Sequence, residues 1–471
     1  MRKSKILTKL AVGAMLLSTT IFGTGEKAKA AGEVVLTSGK TVTAALDSRD
    51  DQDVYKFVVP DTGEFTIDFE KANPVEKEAN WKLTVFAGND EIKSEDGTND
   101  VHFGTYGFKK GTVIYVTVND WVDATRKSYN ITVNFKKTDD REQEYNDSKS
   151  SAQPIQMNKQ YYGSAEDGDK DWYSVTTDTG YLDLDFWVLN STGSDRKWAI
   201  DIYDSKGTKI DYYDFINADV KTDHLAYRKG TKLYICVSPY TGSGFYEYSF
   251  RVNSHKTNSW EKESNNSIAT ATELKYIGSV YGNLNMTSGD KDYYKVYIPK
   301  SGSLRYSLQK LNTDKDIEFG WDVALFDSNL RQVGTTIDGI KDYANKTVTV
   351  KKGTYYIRIT KNWSMDDKID YRLSTYFVSA PSQVSSVKVS VSHRKAILSW
   401  KKIAGVKGYQ IRYSTKSNMK GARTIGATSS AKYITKTLSK RMYYFQVRAY
   451  KMSGKTKVYG SWSGVKAVRV R

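Results

Sequence analysis

The residues Gly289-Asp290-Lys291-Asp292-Tyr293-Tyr294-Lys295-Val296-Tyr297-Ile298-Pro299-Lys300-Ser301-Gly302 decide how the chain is read. A close copy lies upstream as Gly168-Asp169-Lys170-Asp171-Trp172-Tyr173, followed by Val175, Thr179 and Gly180. A weaker copy runs Asp51-Gln52-Asp53-Val54-Tyr55-Lys56-Phe57, followed by Thr62 and Gly63. The second Asp recurs at 53, 171 and 292, at intervals of 118 and 121 residues. Solenoid periods stop at about 50 residues, whereas whole domains run to about 100–150. The chain therefore reads as one domain type used three times.

Other landmarks keep the same order in each copy. Trp81, Trp198 and Trp321 each lead a run of alternating apolar residues, and Lys110-Gly111-Thr112, Lys229-Gly230-Thr231 and Lys352-Gly353-Thr354 mark tight turns. Closing segments begin Tyr129-Asn130-Ile131, Tyr248-Ser249-Phe250 and Tyr371-Arg372-Leu373. Apolar residues alternate with polar ones, as in Phe65-Thr66-Ile67-Asp68-Phe69, and no stretch shows a helical period. Short strands with one apolar face must be covered by a second sheet, so three β-sandwiches of a jelly-roll-like type are expected. The Trp position is a packing anchor.

Residues 383–471 form a different unit. Ala396-Ile397-Leu398-Ser399-Trp400, Gly408-Tyr409-Gln410-Ile411-Arg412-Tyr413 and Tyr443-Tyr444-Phe445-Gln446-Val447 have strand periodicity, with Leu438 just before the last. This spacing resembles a fibronectin type III domain, in which Trp400 and Tyr443 would take the places of the core Trp and the corner Tyr. The expected organisation is an export segment at 1–30, sandwiches at 31–137, 138–256 and 257–379, and a basic fibronectin type III domain at 383–471. The joint at Ala380-Pro381-Ser382 is an extended connector.

Charge is unevenly divided. The chain carries +17, of which residues 1–31 hold +5 and residues 381–471 hold +21 without a single Asp or Glu, leaving −9 for the body between. The N-terminus has Arg2, Lys3, Lys5 and Lys9, an apolar run from Leu10 to Phe22, and Ala28-Lys29-Ala30 as a small-x-small cleavage signal. This pattern implies an extracellular, secreted protein, with cell-surface association through non-covalent contacts and no transmembrane segment. Cys236 is the only cysteine, which rules out an intrachain disulfide, and it reads as a buried small hydrophobe.

Acidic segments precede two of the copies: Glu142-Gln143-Glu144-Tyr145-Asn146-Asp147 and Glu261-Lys262-Glu263-Ser264-Asn265-Asn266. Alternate oxygen ligands on an extended segment, joined by carboxylates of the Asp-x-Asp pair, suit a hard cation such as Ca2+. A solvated acidic linker is the alternative. The Glu-x-Glu-x-Asn-Asp/Asn opening, the Gly-Asp-x-Asp-aromatic-Tyr centre and the closing Tyr strand resemble the bacterial prepeptidase C-terminal domain, especially the collagen-binding domains of clostridial collagenases. That resemblance implies a calcium site between linker and sandwich. It would place Glu142, Glu144, Asn146, Asp147 and Asp169 or Asp171 in one site, and Glu261, Glu263, Asn265, Asn266 and Asp290 or Asp292 in another. Asn266 replaces an expected Asp. The first copy lacks the acidic opening and is expected to hold no ion.

No catalytic constellation stands out. His102, His224, His255 and His393 are scattered, with no His-Glu-x-x-His and no Gly-x-Ser-x-Gly. The chain therefore reads as a non-catalytic binding or adhesion protein whose target is a protein fibre or a polysaccharide of the matrix or cell envelope. Tyr161, Tyr162, Trp187, Tyr240 and Trp363 are the ligand-contact candidates. The basic domain is expected to bind an anionic cell-wall polymer through Arg394, Lys395, Lys401, Lys402, Lys432, Lys436, Lys440, Arg441, Lys451, Lys455 and Lys457, without sequence-specific recognition of nucleic acid. The alternatives are a structural spacer and an accessory subunit that docks a separate secreted hydrolase.

Overall fold

The structure is a computed structural model that describes residues 33–75, 79–98, 100–166, 168–189, 197–241, 246–285, 289–311, 320–361 and 368–471. The expected export segment and Trp363 lie outside the described residues. Among the described residues every regular element is a β-strand, and no helix is long and apolar enough to cross a membrane. The chain forms two compact units, Met1–Glu144 and Tyr145–Arg471.

The first unit holds one pair of sheets. Its five-stranded sheet runs, in spatial order, Val34–Val35, Gln52–Val58, Val113–Val122, Asn80–Ala87, Asp90–Thr98. Its four-stranded sheet runs Thr41–Ala45, Ser128–Lys137, Gly63–Lys71, Val101–Phe108. The first strand pairs parallel to its neighbour and the other pairings are antiparallel. Residues 63–69 alternate between buried and half-buried, as the period of two requires for a sheet with one covered face.

The second unit repeats this strand order twice. Gln153–Pro154, Asp171–Thr176, Lys232–Thr241, Lys197–Tyr203, Lys209–Ile216 form a five-stranded sheet over Gln160–Ala165, Tyr246–His255, Tyr181–Val188, Val220–Lys221. Thr272–Glu273, Lys291–Ile298, Gly353–Lys361, Trp321–Asp327, Ile337–Ile340 do the same over Gly278–Gly282, Tyr371–Ser379, Gly302–Lys310, Tyr343–Val350. A last pair of sheets follows. Lys388–Ser392, Lys395–Ser399 and Lys432–Ile434 form one, and Arg423–Thr428, Gly408–Ser414, Met442–Ser453, Thr456–Tyr459 and Lys466–Arg469 form the other. The protein is thus all-β, built of repeated sheet pairs as tandem β-sandwiches.

One buried device recurs in the three like sandwiches. Tyr129 donates to Asp53 Oδ2 at 2.5 Å and receives the Tyr55 hydroxyl at 2.8 Å. Tyr248 donates to Asp171 Oδ2 at 2.7 Å and meets Tyr173 at 2.7 Å. Tyr371 donates to Asp292 Oδ2 and meets Tyr294 at 2.7 Å. Each chain runs from one sheet to the other, because Asp and the first Tyr sit on the second strand of the five-stranded sheet and the other Tyr lies in the closing strand of the four-stranded sheet. Trp81, Trp198 and Trp321, all buried, pack edge-on against Tyr129, Tyr248 and Tyr371 at ring separations of 5.9, 4.8 and 5.8 Å. The expected Trp anchor therefore packs on the tyrosine that bridges the sheets.

Within the second unit the sandwiches are joined through side chains. Lys368 Nζ meets Asp211 Oδ2 at 3.2 Å with both side chains fully buried. His224 Nδ1 meets Asp370 Oδ2 at 2.7 Å, and Trp260 packs on Tyr181 at 4.7 Å. In the last sheet pair Trp400 packs edge-on against Tyr409 at 5.1 Å, and Tyr443 against Tyr413 at 5.4 Å.

Removing one hydroxyl tests the recurring device. Tyr248→Phe removes the hydroxyl that links Tyr173 to Asp171 and is expected to lower the unfolding free energy by about 1–3 kcal/mol in urea denaturation. An unchanged midpoint would show that the hydrogen-bond chain is not a stabilising tie between the sheets.

Candidate functional site

The segment leading into the third sandwich is extended, and its side chains alternate. Glu261, Glu263 and Asn265 are buried while Lys262, Ser264 and Asn266 are exposed. Backbone bonds fix this segment on both sides. Glu261 N donates to Tyr281 O at 2.9 Å and Tyr293 N to Asn265 O at 3.1 Å. Glu263 N donates to Ala226 O at 2.8 Å, and Arg228 N to Glu263 O at 3.2 Å. The segment is therefore clamped between the second sandwich and the third.

Glu261 is saturated by protein donors. Its Oε1 accepts from Asn283 N at 2.8 Å, and its Oε2 from the Tyr294 hydroxyl at 2.7 Å and Asn265 Nδ2 at 3.0 Å. Room for it comes from Gly282, where an added Cβ would stand 2.7 Å from the Glu261 carboxyl and from the Tyr294 hydroxyl. Carboxylate oxygens of Glu261, Glu263 and Asp292 lie within 4.8 Å of one another. Glu263 Oε1, Asp292 Oδ1 and Asn265 Oδ1 are buried and accept no hydrogen bond.

Such an arrangement is electrostatically unstable by itself. Burial, the largest cause, pushes Glu261 up to about 7, and Glu263 and Asp292 well above the usual carboxylate range; repulsion from Asp290 adds to all three, and repulsion from Glu261 adds to Glu263 and Asp292. Buried carboxylates must be protonated or paired with a cation. The open oxygens are all hard donors, and no sulfur or imidazole belongs to the group. The site has the donor chemistry of a divalent cation. Two lysines act on the neighbouring carboxylates: the Lys368 charge acts on Asp290 while its head group bonds Asp211, and the Lys361 charge acts on Asp290 and Asp292.

The remaining expected ligands fall as follows. Asp290 is buried but its oxygens cap the backbone, Oδ2 accepting from Asn285 N at 2.6 Å and Oδ1 from Lys291 N at 3.0 Å. Asn266 points outward, which removes it from the buried set: the period of two puts 261, 263 and 265 inside and so must put 266 outside. In the first compact unit Glu142 is buried and Glu144 half-buried, with Glu144 N bonded to Gly107 O at 2.8 Å. In the second unit Asn146, the counterpart of Asn265, is fully buried with neither side-chain atom hydrogen-bonded, and Asp147 is exposed. There too, burial pushes Asp169 up to about 6, and Asp171 bonds Tyr248.

The aromatic candidates separate. Tyr161 is buried, packs on Phe250 at 6.0 Å and accepts from Gln156 N, so the expectation that it is an exposed ligand contact is corrected: it faces the core. Tyr162 and Trp187 are half-buried, the latter with the Arg251 guanidinium 5.5 Å from its ring. Tyr240 is exposed and packs on exposed Phe215 at 4.3 Å. Cys236 is buried, which pushes its thiol up to about 12.

In the basic domain no cation has a carboxylate partner within residues 381–471, since the segment contains none. Arg394, Lys395, Lys401, Lys402, Lys432, Lys436, Lys440, Arg441, Lys455 and Lys457 are exposed, while Lys451 is half-buried and bonds Ser379 Oγ at 3.3 Å. The sequence reading missed a cation–aromatic stack on this domain. The Arg412 and Arg448 guanidinium carbons lie 4.1 and 4.3 Å from the Trp462 ring, and that of Arg448 lies 3.7 Å from Tyr459. Gln446 and Gln410 hold the two guanidiniums, at 2.7 and 2.6 Å. Alternation of Gln446 and Arg448 on one strand was the available signal; the register that sets Gln410 opposite Arg448 was not readable.

His102, His224 and His255 each bond one aspartate, Asp68, Asp370 and Asp183 respectively. His393 bonds Ser392 in a domain that has no acidic residue. The β-sandwich architecture is of a kind typically without catalysis.

Closing the space at Gly282 or neutralising Glu261 tests the buried site. Gly282→Ala and Glu261→Gln are each expected to weaken divalent-cation affinity by about 10–100-fold, read by calorimetric titration, because Glu261 orients the open oxygens beside it. Equal affinity in both variants would show that no cation binds among these residues.

No family model matches the chain, and no curated protein is similar to it. Among solved structures, the pre-peptidase C-terminal domain of a collagenase from Bacillus anthracis is 15% identical, covering 22% of this chain and 94% of its own, with a TM-score of 0.19. The fibronectin type-III domain of human fibronectin type III domain containing protein 3 is 21% identical over 20% of this chain and 88% of its own, with a TM-score of 0.17. A Fn3-like protein from Clostridium thermocellum is 24% identical over 18% of this chain and 92% of its own, with a TM-score of 0.16. The chain is similar to a group of weakly related all-β sandwich domains of these two kinds.

Proposed function

We propose that this is a secreted, non-catalytic binding protein whose sandwiches are stiffened by calcium and whose basic C-terminal domain attaches to an anionic polymer. The observation that carries the reading is the buried set of Glu261, Glu263, Asn265 and Asp292, with three oxygens that accept no hydrogen bond. A cation of high charge and flexible oxygen coordination relieves that repulsion, and calcium is the one that extracellular fluid supplies in abundance. The ligands come from the joining segment and from the third sandwich, and the same segment is bonded to Ala226 and Arg228. Binding energy at such a site is joint-stiffening energy. Asn146, Asp169 and Asp171 support a second site of the same type. A spacer or a docking subunit for a hydrolase would use the same stiffened joints.

The polymer-binding half rests on charge. A domain at +21 without acidic residues repels itself and attracts polyanions. Its counterpart is an anionic envelope polymer such as teichoic acid.

Calorimetric titration of calcium into chelator-treated protein is expected to show saturable binding near two sites, together with a raised melting temperature. Absence of both heat and thermal shift overturns the calcium reading. For the basic domain, retention on an immobilised glycerol-phosphate polymer is expected to fall steeply with added salt. It should fall further in Lys401→Glu/Lys402→Glu, as charge-driven association requires. Salt-independent retention would reject that half of the proposal.

A further inference from the structure

Six side chains form one row across the outward face of the larger sheet of the last sandwich. Lys457 Nζ lies 4.7 Å from the Tyr450 ring, and Tyr450 lies 5.8 Å from Tyr459. The Arg448 guanidinium carbon lies 3.7 Å from Tyr459 and 4.3 Å from Trp462, and Arg412 closes the row 4.1 Å from the same indole. The backbone is shaped for this row. Gly408 stands opposite Tyr450, and a Cβ there would come within 2.8 Å of the Tyr450 hydroxyl. Trp462 is fastened on both sides: its carbonyl accepts from Gln383 Nε2 at 2.6 Å, and the Ser463 carbonyl accepts from Gln446 Nε2 at 2.7 Å.

Both guanidiniums are held by neutral amides. Gln446 Oε1 accepts from Nε and Nη2 of Arg412 at 3.1 and 2.7 Å, and Gln410 Oε1 accepts from Nε and Nη2 of Arg448 at 2.8 and 2.6 Å. Among the described residues neither arginine has a carboxylate partner or an acceptor for its remaining Nη1 group, and both side chains are half-buried. Burial disfavours both charges, and Arg412 adds repulsion to Arg448. A carboxylate at position 410 would hold Arg448 more firmly and relieve that repulsion. The amides instead fix the two forks and leave their charge uncompensated, a choice that packing alone does not call for. The open edge of a guanidinium fork matches the oxygens of a phosphate group. Every ring in the row already carries a cation at stacking distance, which disfavours the base stacking that single-stranded nucleic acid uses. We propose that Arg412 and Arg448 form a preorganised site for the phosphodiester groups of a base-free polymer. This rests on the reading of the basic domain as attached to an anionic polymer: the exposed lysines supply long-range attraction, and the two arginines supply the fit.

The test titrates the full chain with a soluble glycerol-phosphate polymer, with a polyuronate and with oligothymidylate as comparators. Gln410→Glu keeps both acceptor contacts to Arg448 and supplies the missing negative charge, so it is expected to melt no lower than the parent yet bind the glycerol-phosphate polymer about tenfold more weakly. Lys388→Gln removes the same amount of charge from the other sheet, where Lys388 is exposed, and is expected to weaken binding by about twofold at most. Arg412→Lys/Arg448→Lys keeps the net charge but not the forks, and should also lose about tenfold. Failure of the parent to bind any of the three polymers would remove the attachment reading itself and the site with it. Binding that Gln410→Glu and the double lysine variant leave unchanged, or that Lys388→Gln weakens as much as Gln410→Glu does, keeps the attachment and overturns the site. Tighter binding of oligothymidylate or of the polyuronate than of the glycerol-phosphate polymer overturns the choice of ligand.

Discussion

The structure depends on a hydrogen bond between two tyrosines that belong to opposite sheets. In each of the three like sandwiches the closing-strand tyrosine, Tyr129, Tyr248 or Tyr371, reaches across the core to Tyr55, Tyr173 or Tyr294 and donates to the aspartate two residues before that partner. Buried hydroxyls and carboxylates are costly unless each finds its partner, so this chain of groups admits one relative placement of the sheets. Hydrophobic contacts alone would tolerate sliding. The Trp packed against the bridging tyrosine fills the space around it and excludes water.

In the third sandwich the same device reaches beyond itself. The Tyr294 hydroxyl meets Glu261 of the joining segment as well as Tyr371. Asp292 is shared between the tyrosine bridge and the carboxylate group. The interior of the sandwich and the joint to its neighbour are thus one polar network. Its weakness is an excess of buried negative charge, and that weakness is what makes a cation the natural complement. The first sandwich keeps Asp53 and both tyrosines, which shows that the aspartate has a structural task of its own.

Charge and acidic residues are divided unevenly along the molecule. Positive charge is concentrated in the last 91 residues, where Arg412, Trp462, Arg448 and Tyr459 interleave cations with aromatic rings. Residues 32–380 carry −9 overall, and their outward aromatic rings lie under lysines and arginines, as Tyr234 does under Lys149 and Phe326 under Arg358.

Much of this was legible in the residues. Recurrence of Asp-x-Asp, of the Trp and of the closing Tyr identified the repeated sandwich, because strand alternation and turn glycines are local properties. Alternation along 261–265 likewise pointed three side chains the same way. What local pattern does not carry is the depth of a side chain and its cross-strand partner. Tyr161 and Tyr240 look alike in sequence, yet one lies in the core and the other in solvent, since strand position in the sandwich decides burial. The sequence by itself determined the all-β class, the threefold repeat, the charge division and the acidic segments, each a matter of composition or short-range periodicity. Only the tertiary structure decided that the repeated Asp serves the tyrosine bridge, that Asn266 stands outside the buried carboxylates, and that arginines stack on Trp462. Each of those depends on register between strands far apart in the chain.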